Sequence, residues 1–377
     1  MSTVYENDRI IFAPGDVDLR LSPLRGSLLE ATFVLGAFNP GLTVLPSGNL
    51  LMMVRIAEAL AHPIKENNVR ALRWDEDLGY VTDEYPLESV DASDPRKFHF
   101  LEGPSKVMAL TSLSWLLPVE LSSGGERIER VHYDKVIQPQ AGFQEYGIED
   151  PRISRVDGTY YMTTCSVSAE RHSTVLYTSI DGINYSMRGI ILDHQNKDMV
   201  IFEGKSAGKF HALTRPMGEL YFAYPSRSPH APGPSINLAS SPDALHWKPA
   251  DKPFIRPRKL SASAVKVGGG TPPILTDRGW LMVYHGVEEG GTVGIYRTFW
   301  ALLDPEDPSV LLEVHDDAPL LESRSELTSD IPNPYLTDVV FSTGIVELEH
   351  EYLIASGEND LACRLTRIPK STFKPTK

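Results

Sequence analysis

Cysteine is nearly absent: Cys165 and Cys363 are the only two in 377 residues. Two are too few for a disulfide framework, so they read as buried free thiols. No apolar run approaches the roughly 20 residues of a membrane-spanning helix. The opening Met1-Ser2-Thr3-Val4-Tyr5-Glu6 shows no basic stretch leading into an apolar one, as a secretory leader would. These absences predict a soluble, cytoplasmic protein with no membrane partner. Basic residues are also in short supply, with 36 Lys and Arg against 50 Asp and Glu and a net charge of -14. Binding to a phosphate backbone draws its affinity from clustered Lys and Arg, so no nucleic-acid partner is expected. HExxH, CxxC, GxSxG and GxGxxG patterns are missing as well, which weighs against metalloprotease, redox, serine hydrolase and dinucleotide chemistry. The glycine-rich Val267 to Pro273 run lacks the lysine and helix of a phosphate loop and reads as a loop against a channel wall. No metal and no cofactor are expected.

What is present is turn chemistry. The 29 prolines and 28 glycines are spread along the chain, which suits many short strands better than long helices. A prior of roughly 150 residues per domain would give two or three domains, but all-β barrels and propellers exceed it as single units. Ser173 to Tyr185 resembles Ser235 to Trp247, about 62 residues further on. Each is an apolar strand, a Ser-x-Asp turn and an aromatic, and each follows a strand pair, Gly158 to Cys165 in one case and Glu219 to Tyr224 in the other. A third pair, Gly279 to His285 with Tyr296 to Leu303, leads to the turn Asp304-Pro305-Glu306-Asp307-Pro308. Units of three or four short strands with turns at fixed places are the mark of propeller blades. A β-sandwich also gives short strands, but not this period. The expectation is all-β: a five-bladed β-propeller with a central-channel active site, one domain over 1–377. Residues 1–30 would supply an N-terminal strand and extension, and 350–377 a strand closing the ring. Residues 60–130 are the least legible, apart from buried strands in Ser105 to Leu117 and a hairpin tip at Ser122-Ser123-Gly124-Gly125.

The chemistry centres on Tyr146 to Met162, YGIEDPRISRVDGTYYM. Pro151 should fix its own φ and push Asp150 toward extended geometry, presenting the carboxylate in a defined direction. With Arg152 two residues on, Asp150 reads either as a positioned acid or base or as half of an Asp–Arg staple between strands. Arg55 sits in an apolar run and must find a partner or line a cavity. Glu203, Lys205 and Arg215 stand at strand ends, where channel-lining groups belong, and Arg215-Pro216 repeats a charge-then-proline device. His285 ends an apolar strand, a place more common for a core histidine. Carboxylates, cations and aromatics around a polar cavity are the equipment of carbohydrate chemistry.

Several segments together resemble glycoside hydrolase family 130, the β-mannoside phosphorylases and β-mannosidases. They are Phe38-Asn39-Pro40, Arg55, Gly147 to Ile153, Lys197-Asp198 with Lys205, Arg215-Pro216, Gly270 to Pro273, Gly279-Trp280, Tyr284-His285-Gly286, Leu303-Asp304 and Asp360. The resemblance implies a five-bladed propeller and an inverting reaction with Asp150 as general acid, acting through a sugar hydroxyl. It implies that Asn39, Arg55, Lys205 and Asp360 hold the mannose, with Arg152, Arg215 and His285 also at the site. Phosphorylase members use inorganic phosphate held by basic residues, whereas hydrolytic members use a glutamate to activate water. The phosphorylase run resembles Lys-Asp-x-x-Leu-Phe-Pro-Glu-Lys, but here Glu203 and Gly204 replace its Pro-Glu, and the usual His-Arg-Pro is Thr214-Arg215-Pro216. A lost cation makes a phosphate dianion less welcome. The expectation is therefore an exo-acting β-mannosidase for β-1,2 links, with Glu203 as base and Glu170 as the second candidate. The alternatives are a β-mannoside phosphorylase with phosphate as co-substrate, and a non-catalytic glycan-binding propeller. The substrate expected is a β-mannoside oligosaccharide, the assembly a monomer or small homo-oligomer.

Overall fold

The computed structural model describes residues 8–103, 108–192, 194–218 and 224–373. The strand read at Glu219 to Tyr224 falls almost wholly outside them, as do the first residues of Ser105 to Leu117.

The described chain is organised as five antiparallel sheets that follow one another in sequence. The first runs outward from Thr32–Val44 through Leu50–Leu60 and Ser112–Leu121 to Ile128–Val131. The second is Ile148–Val156, Thr159–Val167, His172–Ser179 and Ser186–Ile190. The third is Asn196–Ser206, Lys209–Pro216, Asn237–Ser241 and Lys248–Pro249. The fourth has Lys266–Gly269 and Ile274–Thr276 on one side of Gly279–Glu288, then Ile295–Leu303 and Leu311–His315. The fifth is Val340–Glu347, Glu351–Glu358, Ala362–Pro369 and the N-terminal Arg9–Phe12. Both ends of the chain thus share one sheet, with Ile10 opposite Arg364. The buried carboxylate of Asp8 fastens that join, taking hydrogen bonds from Arg364 Nε and Nη2, both 2.6 Å, and Thr366 Oγ1, 2.9 Å.

Local chemistry sets the hairpins. Asp157-Gly158 and Ala207-Gly208 have positive φ at both positions, the twist a two-residue connection needs. The repeated Ser-x-Asp turns have matching geometry. Asp181 Oδ1 accepts from the amides of Ile183 and Asn184, and Asp243 Oδ1 from those of Leu245 and His246, all at 2.8–2.9 Å.

Successive side chains on a strand point to opposite faces, and the inner strands bury both. Met52 packs with Trp115, Leu353 and Leu365 between the first and fifth sheets. Its neighbours Leu51 and Met53 pack with Leu116, Ile153 and Tyr177 between the first and second. Ile201 joins Val156, Leu176 and Phe210 between the second and third, while Val200 and Phe202 join Trp280 and Phe299 between the third and fourth. A further cluster with Leu281, Val283, Val340 and Ile354 lies between the fourth and fifth. The five sheets therefore share five cores, each with a neighbour on either side. Double-sided burial is why the inner strands read as continuous apolar runs.

The illegible stretch between Leu60 and Ser112 is an insertion of two three-stranded sheets outside the five. No helix among the described residues is long and apolar enough to cross a membrane. Cys165 and Cys363 are buried free thiols.

Candidate active site

Three inner strands carry the same irregularity at the same level. Register breaks between Phe38 and Gly41, Glu149 and Arg152, and Lys197 and Val200. At each break Asn39 (φ 48), Asp150 (φ 49) or Asp198 (φ 57) adopts left-handed geometry, and Asp360 (φ 52) does so in the loop after Glu351–Glu358. Asn and Asp tolerate this conformation because a short polar side chain can bond locally, and a bulge re-aims the side chain it displaces. The expectation of an extended Asp150 is corrected here: a following proline disfavours the right-handed region but leaves the left-handed one open to an Asp at a bulge. Gly357 is required beneath this arrangement, since a Cβ there would stand 1.9 Å from Asn39 Oδ1.

Asp150 and Asn39 are in contact, with Asn39 Nδ2 donating to Asp150 Oδ1 at 2.9 Å. Arg55 Nη1 donates to the same oxygen at 2.9 Å, while its Nη2 reaches Glu149 Oε1 at 2.8 Å and its Nε reaches Ser114 Oγ at 3.0 Å. Lys197 Nζ closes the chain on Glu149 Oε2 at 3.0 Å. Burial pushes the Asp150 and Glu149 carboxyls up, but Arg55 and Lys197 outweigh it, and both are held below the usual carboxylate range. The Asn39 Oδ1 acceptor is buried and has no partner.

These groups border a cavity of about 340 Å³, lined by Asn39, Arg55, Arg96, Asp150 and Asp360 together with His172, Lys197, Asp198, Arg215 and Lys266. Tyr296 and Phe341 add aromatic wall. The volume falls within the ~300–1,000 Å³ usual for small-molecule sites. Asp360 is pushed up to about 6 by burial, against the pull of Arg55. Arg215 Nε pairs with Asp198 Oδ2 at 2.6 Å, and the charges of Arg215 and Arg152 hold that carboxyl below the usual carboxylate range despite burial. Lys266 differs from the other cations here. Arg55 has Asp150 and Glu149, Arg96 has Asp94, Lys197 has Glu149 and Arg215 has Asp198. No carboxylate pairs with Lys266 among the described residues; its ammonium lies over the Tyr296 ring at 4.9 Å. Burial and then the charge of Arg215 lower it to about 8.

The structure thus brings Asn39, Arg55, Asp150, Arg215 and Asp360 to one cavity. Arg152 and His285 stand behind it. Arg152, 2% exposed, ties the second sheet to the fourth through Gly270 O at 3.2 Å and caps Asp150 O at 3.0 Å. His285 Nε2 lies 3.5 Å from Asp198 Oδ2, and burial lowers the imidazole to about 3, so it is neutral.

Glu203 and Lys205 are not brought to the cavity. Glu203 is six residues along the strand from Lys197, roughly 20 Å at ~3.3 Å per residue, and its Oε1 accepts from the Arg155 amide at 3.3 Å. Burial raises it to about 7, a value suited to a base, but at the far end of the strand from Asp150. Lys205 pairs with the exposed Asp157 at 2.7 Å. Glu170 is exposed on a turn. The expected placement failed because a strand has two ends, and the sequence does not say which of them faces the cavity.

Glu149 is given no role by the sequence reading, and Lys266 and Arg96 are not singled out by it. Glu149 had the signal of adjacency to Asp150, and Arg96 ends an Asp94-Pro95-Arg96 tripeptide identical to Asp150-Pro151-Arg152. Lys266 had none.

Comparison with known proteins adds to this geometry. The family model of glycoside hydrolase family 130, described as beta-1,4-mannooligosaccharide phosphorylase, matches residues 112–373. A beta-1,2-mannobiose phosphorylase from Listeria innocua is 30% identical over 84% of each chain. A 1,2-beta-oligomannan phosphorylase from Thermoanaerobacter is 32% identical over 58% of this chain and 67% of its own. The solved structure of a beta-1,2-mannobiose phosphorylase from Listeria innocua, in complex with beta-1,2-mannobiose, superposes with a TM-score of 0.78 at 28% identity, covering 97% of this chain and 98% of that one.

Proposed function

The chain belongs to glycoside hydrolase family 130, and on that premise we propose that it is an inverting β-mannoside phosphorylase built as one five-bladed β-propeller domain. The five sheets are the blades, and the cavity at the start of their inner strands is the active site. The substrate class proposed is a short β-1,2-linked mannoside with inorganic phosphate as co-substrate, since the relatives similar over most of the chain are named for β-1,2 links.

The observation that carries this reading is the ammonium of Lys266, without an ion-pair partner among the described residues, beside Arg215 in a cavity that also holds Lys197. A partly buried cation without a counter-charge is costly, and a phosphate dianion relieves the cost. The hydrolytic reading needs a carboxylate base across the cavity from Asp150. The other carboxylates lining it are Asp198, held by Arg215 and Arg152, and Asp360, next to Arg55. The cation missing at Thr214 has a counterpart in Lys266, so the loss that favoured hydrolysis is offset.

In the reaction, a phosphate oxygen attacks the anomeric carbon as the bond to the leaving oxygen breaks. The proton for that oxygen comes from Asp150 by way of a mannosyl hydroxyl, and the products are α-mannose 1-phosphate and the shortened saccharide. Asn39 Nδ2 holds the Asp150 carboxylate in place from the side. In the empty cavity Arg55, Arg152 and Lys197 hold Asp150 as a carboxylate. A bound phosphate cancels part of that field, so Asp150 takes up the proton it must deliver only when the nucleophile is in place.

The test is incubation with β-1,2-mannobiose with and without phosphate. Mannose 1-phosphate formed only with phosphate supports the reading, and free mannose released at equal rate in phosphate-free buffer overturns it.

A further inference from the structure

Arg96 reaches the cavity from outside the five sheets. Its insertion leaves the first sheet at Leu60 and returns at Ser112, where Leu60 pairs with Thr32 and Ser112 with Ala59. Leu60 is five residues beyond Arg55, roughly 16 Å along the strand. The backbone of Arg96 is pinned at that level: Thr111 N donates to Arg96 O at 3.1 Å, and Thr111 Oγ1 donates to Pro95 O at 2.5 Å. Asp360 lies between the two levels, for Ala37 N donates to Leu361 O at 3.0 Å. The order along the cavity is therefore Asp150 and Asn39, then Asp360, then Arg96 descending from the insertion.

The arginine is fixed before any ligand arrives. Asp94 accepts from Arg96 Nε at 3.0 Å, Nη2 at 2.7 Å and the backbone amide at 3.0 Å. The plane of the guanidinium is thereby set, and Nη1 makes no hydrogen bond among the described residues. Its charge is already met by Asp94, so what it offers the cavity is directed N–H donors rather than excess positive charge. That suits neutral hydroxyl oxygens, whereas Lys266 has the opposite endowment and suits an anion.

We infer that Arg96 is a specificity-determining residue that binds hydroxyl oxygens of the leaving saccharide, with the 61–111 insertion forming that side of the site. The inference rests on the phosphorylase reading, in which the mannosyl unit to be transferred occupies the Asp150 end and the rest of the substrate extends toward the insertion.

Arg96→Ala and Arg96→Lys are compared with the wild type in both directions. Loss of a hydrogen bond from a charged donor predicts a rise of about tenfold or more in KM for β-1,2-mannobiose in phosphorolysis and for acceptor mannose in synthesis. KM for phosphate and for mannose 1-phosphate should stay within about twofold. Arg96→Lys, which keeps the charge but not the two-point clamp on Asp94, should fall between and covers the case in which the alanine variant does not fold. An equal rise in KM for mannose 1-phosphate, or an unchanged acceptor KM in a variant that melts like the wild type, overturns the inference. Should the wild type form no mannose 1-phosphate, the phosphorylase reading fails by itself. Calorimetric titration with β-1,2-mannobiose then still decides: a tenfold loss of affinity in the variant supports the role of Arg96, and unchanged affinity overturns it.

Discussion

Replacing Lys266 by Met should stabilise the empty protein and impair the loaded one. The folded lysine sits at about 8 rather than 10.5, and each unit corresponds to ~1.36 kcal/mol. Discounted for partial exposure, the charged form costs the fold about 1–3 kcal/mol. The sign follows from proton binding: between pH 8 and 10.5 the unfolded chain holds more protons than the folded one, so stability rises with pH across that window. Below pH 8 the cost is fully present, and Lys266→Met removes it. Phosphate reverses the balance. Loss of one charge-assisted contact, ~1.5–3 kcal/mol, raises KM for phosphate roughly 10- to 150-fold. In the wild type that KM should climb above pH 8 as Lys266 loses its proton, a limb the variant lacks. Thermal melts with and without phosphate read both effects, since phosphate at 100 times its Kd adds ~2.7 kcal/mol. The variant should start higher and gain less. An unchanged KM for phosphate, or a variant less stable than the wild type in phosphate-free buffer at pH 7, would refute the reasoning.

Asp150→Asn should lower kcat by about 10²–10⁴-fold with the fold intact; near-normal turnover removes it as the acid. Asp360→Asn should raise stability at pH 7 but not at pH 4, by about 1–3 kcal/mol, because burial lifts its carboxyl from 3.8 to about 6. The folded state then binds the extra proton between those values, so the cost is complete only above pH 6. Equal melting shifts at both pH values would contradict this. Glu203→Gln should leave kcat/KM within about twofold, because its carboxyl faces Arg155 rather than the cavity. A hundredfold loss would place it in the chemistry.

The order of strands was legible because the Ser-x-Asp turns and the Asp157-Gly158 hairpin are written in local chemistry. Double-sided burial left its mark too, in apolar runs such as Leu50 to Val54. Asp150, the proposed acid, was legible from the proline that follows it, whereas the bulge that turns it left-handed was not. The partners of Asp150 were less legible. Lys205 and Lys197 are both cations near the ends of one strand, and only the packing of the sheets separates the end near Asp150 from the end that pairs with the exposed Asp157. Lys266 was invisible, because what distinguishes it is that no carboxylate pairs with it among the described residues. Arg96 lay in the stretch with the weakest pattern, a tertiary insertion whose short strands pair with one another.

The anomeric form of the first product separates inverting phosphorolysis from hydrolysis. When β-1,2-mannobiose and phosphate are mixed with the enzyme in an NMR tube, α-mannose 1-phosphate should appear first, together with an equal amount of mannose. The β anomer of the phosphate, or mannose alone with the phosphate signal unchanged, would contradict inverting phosphorolysis.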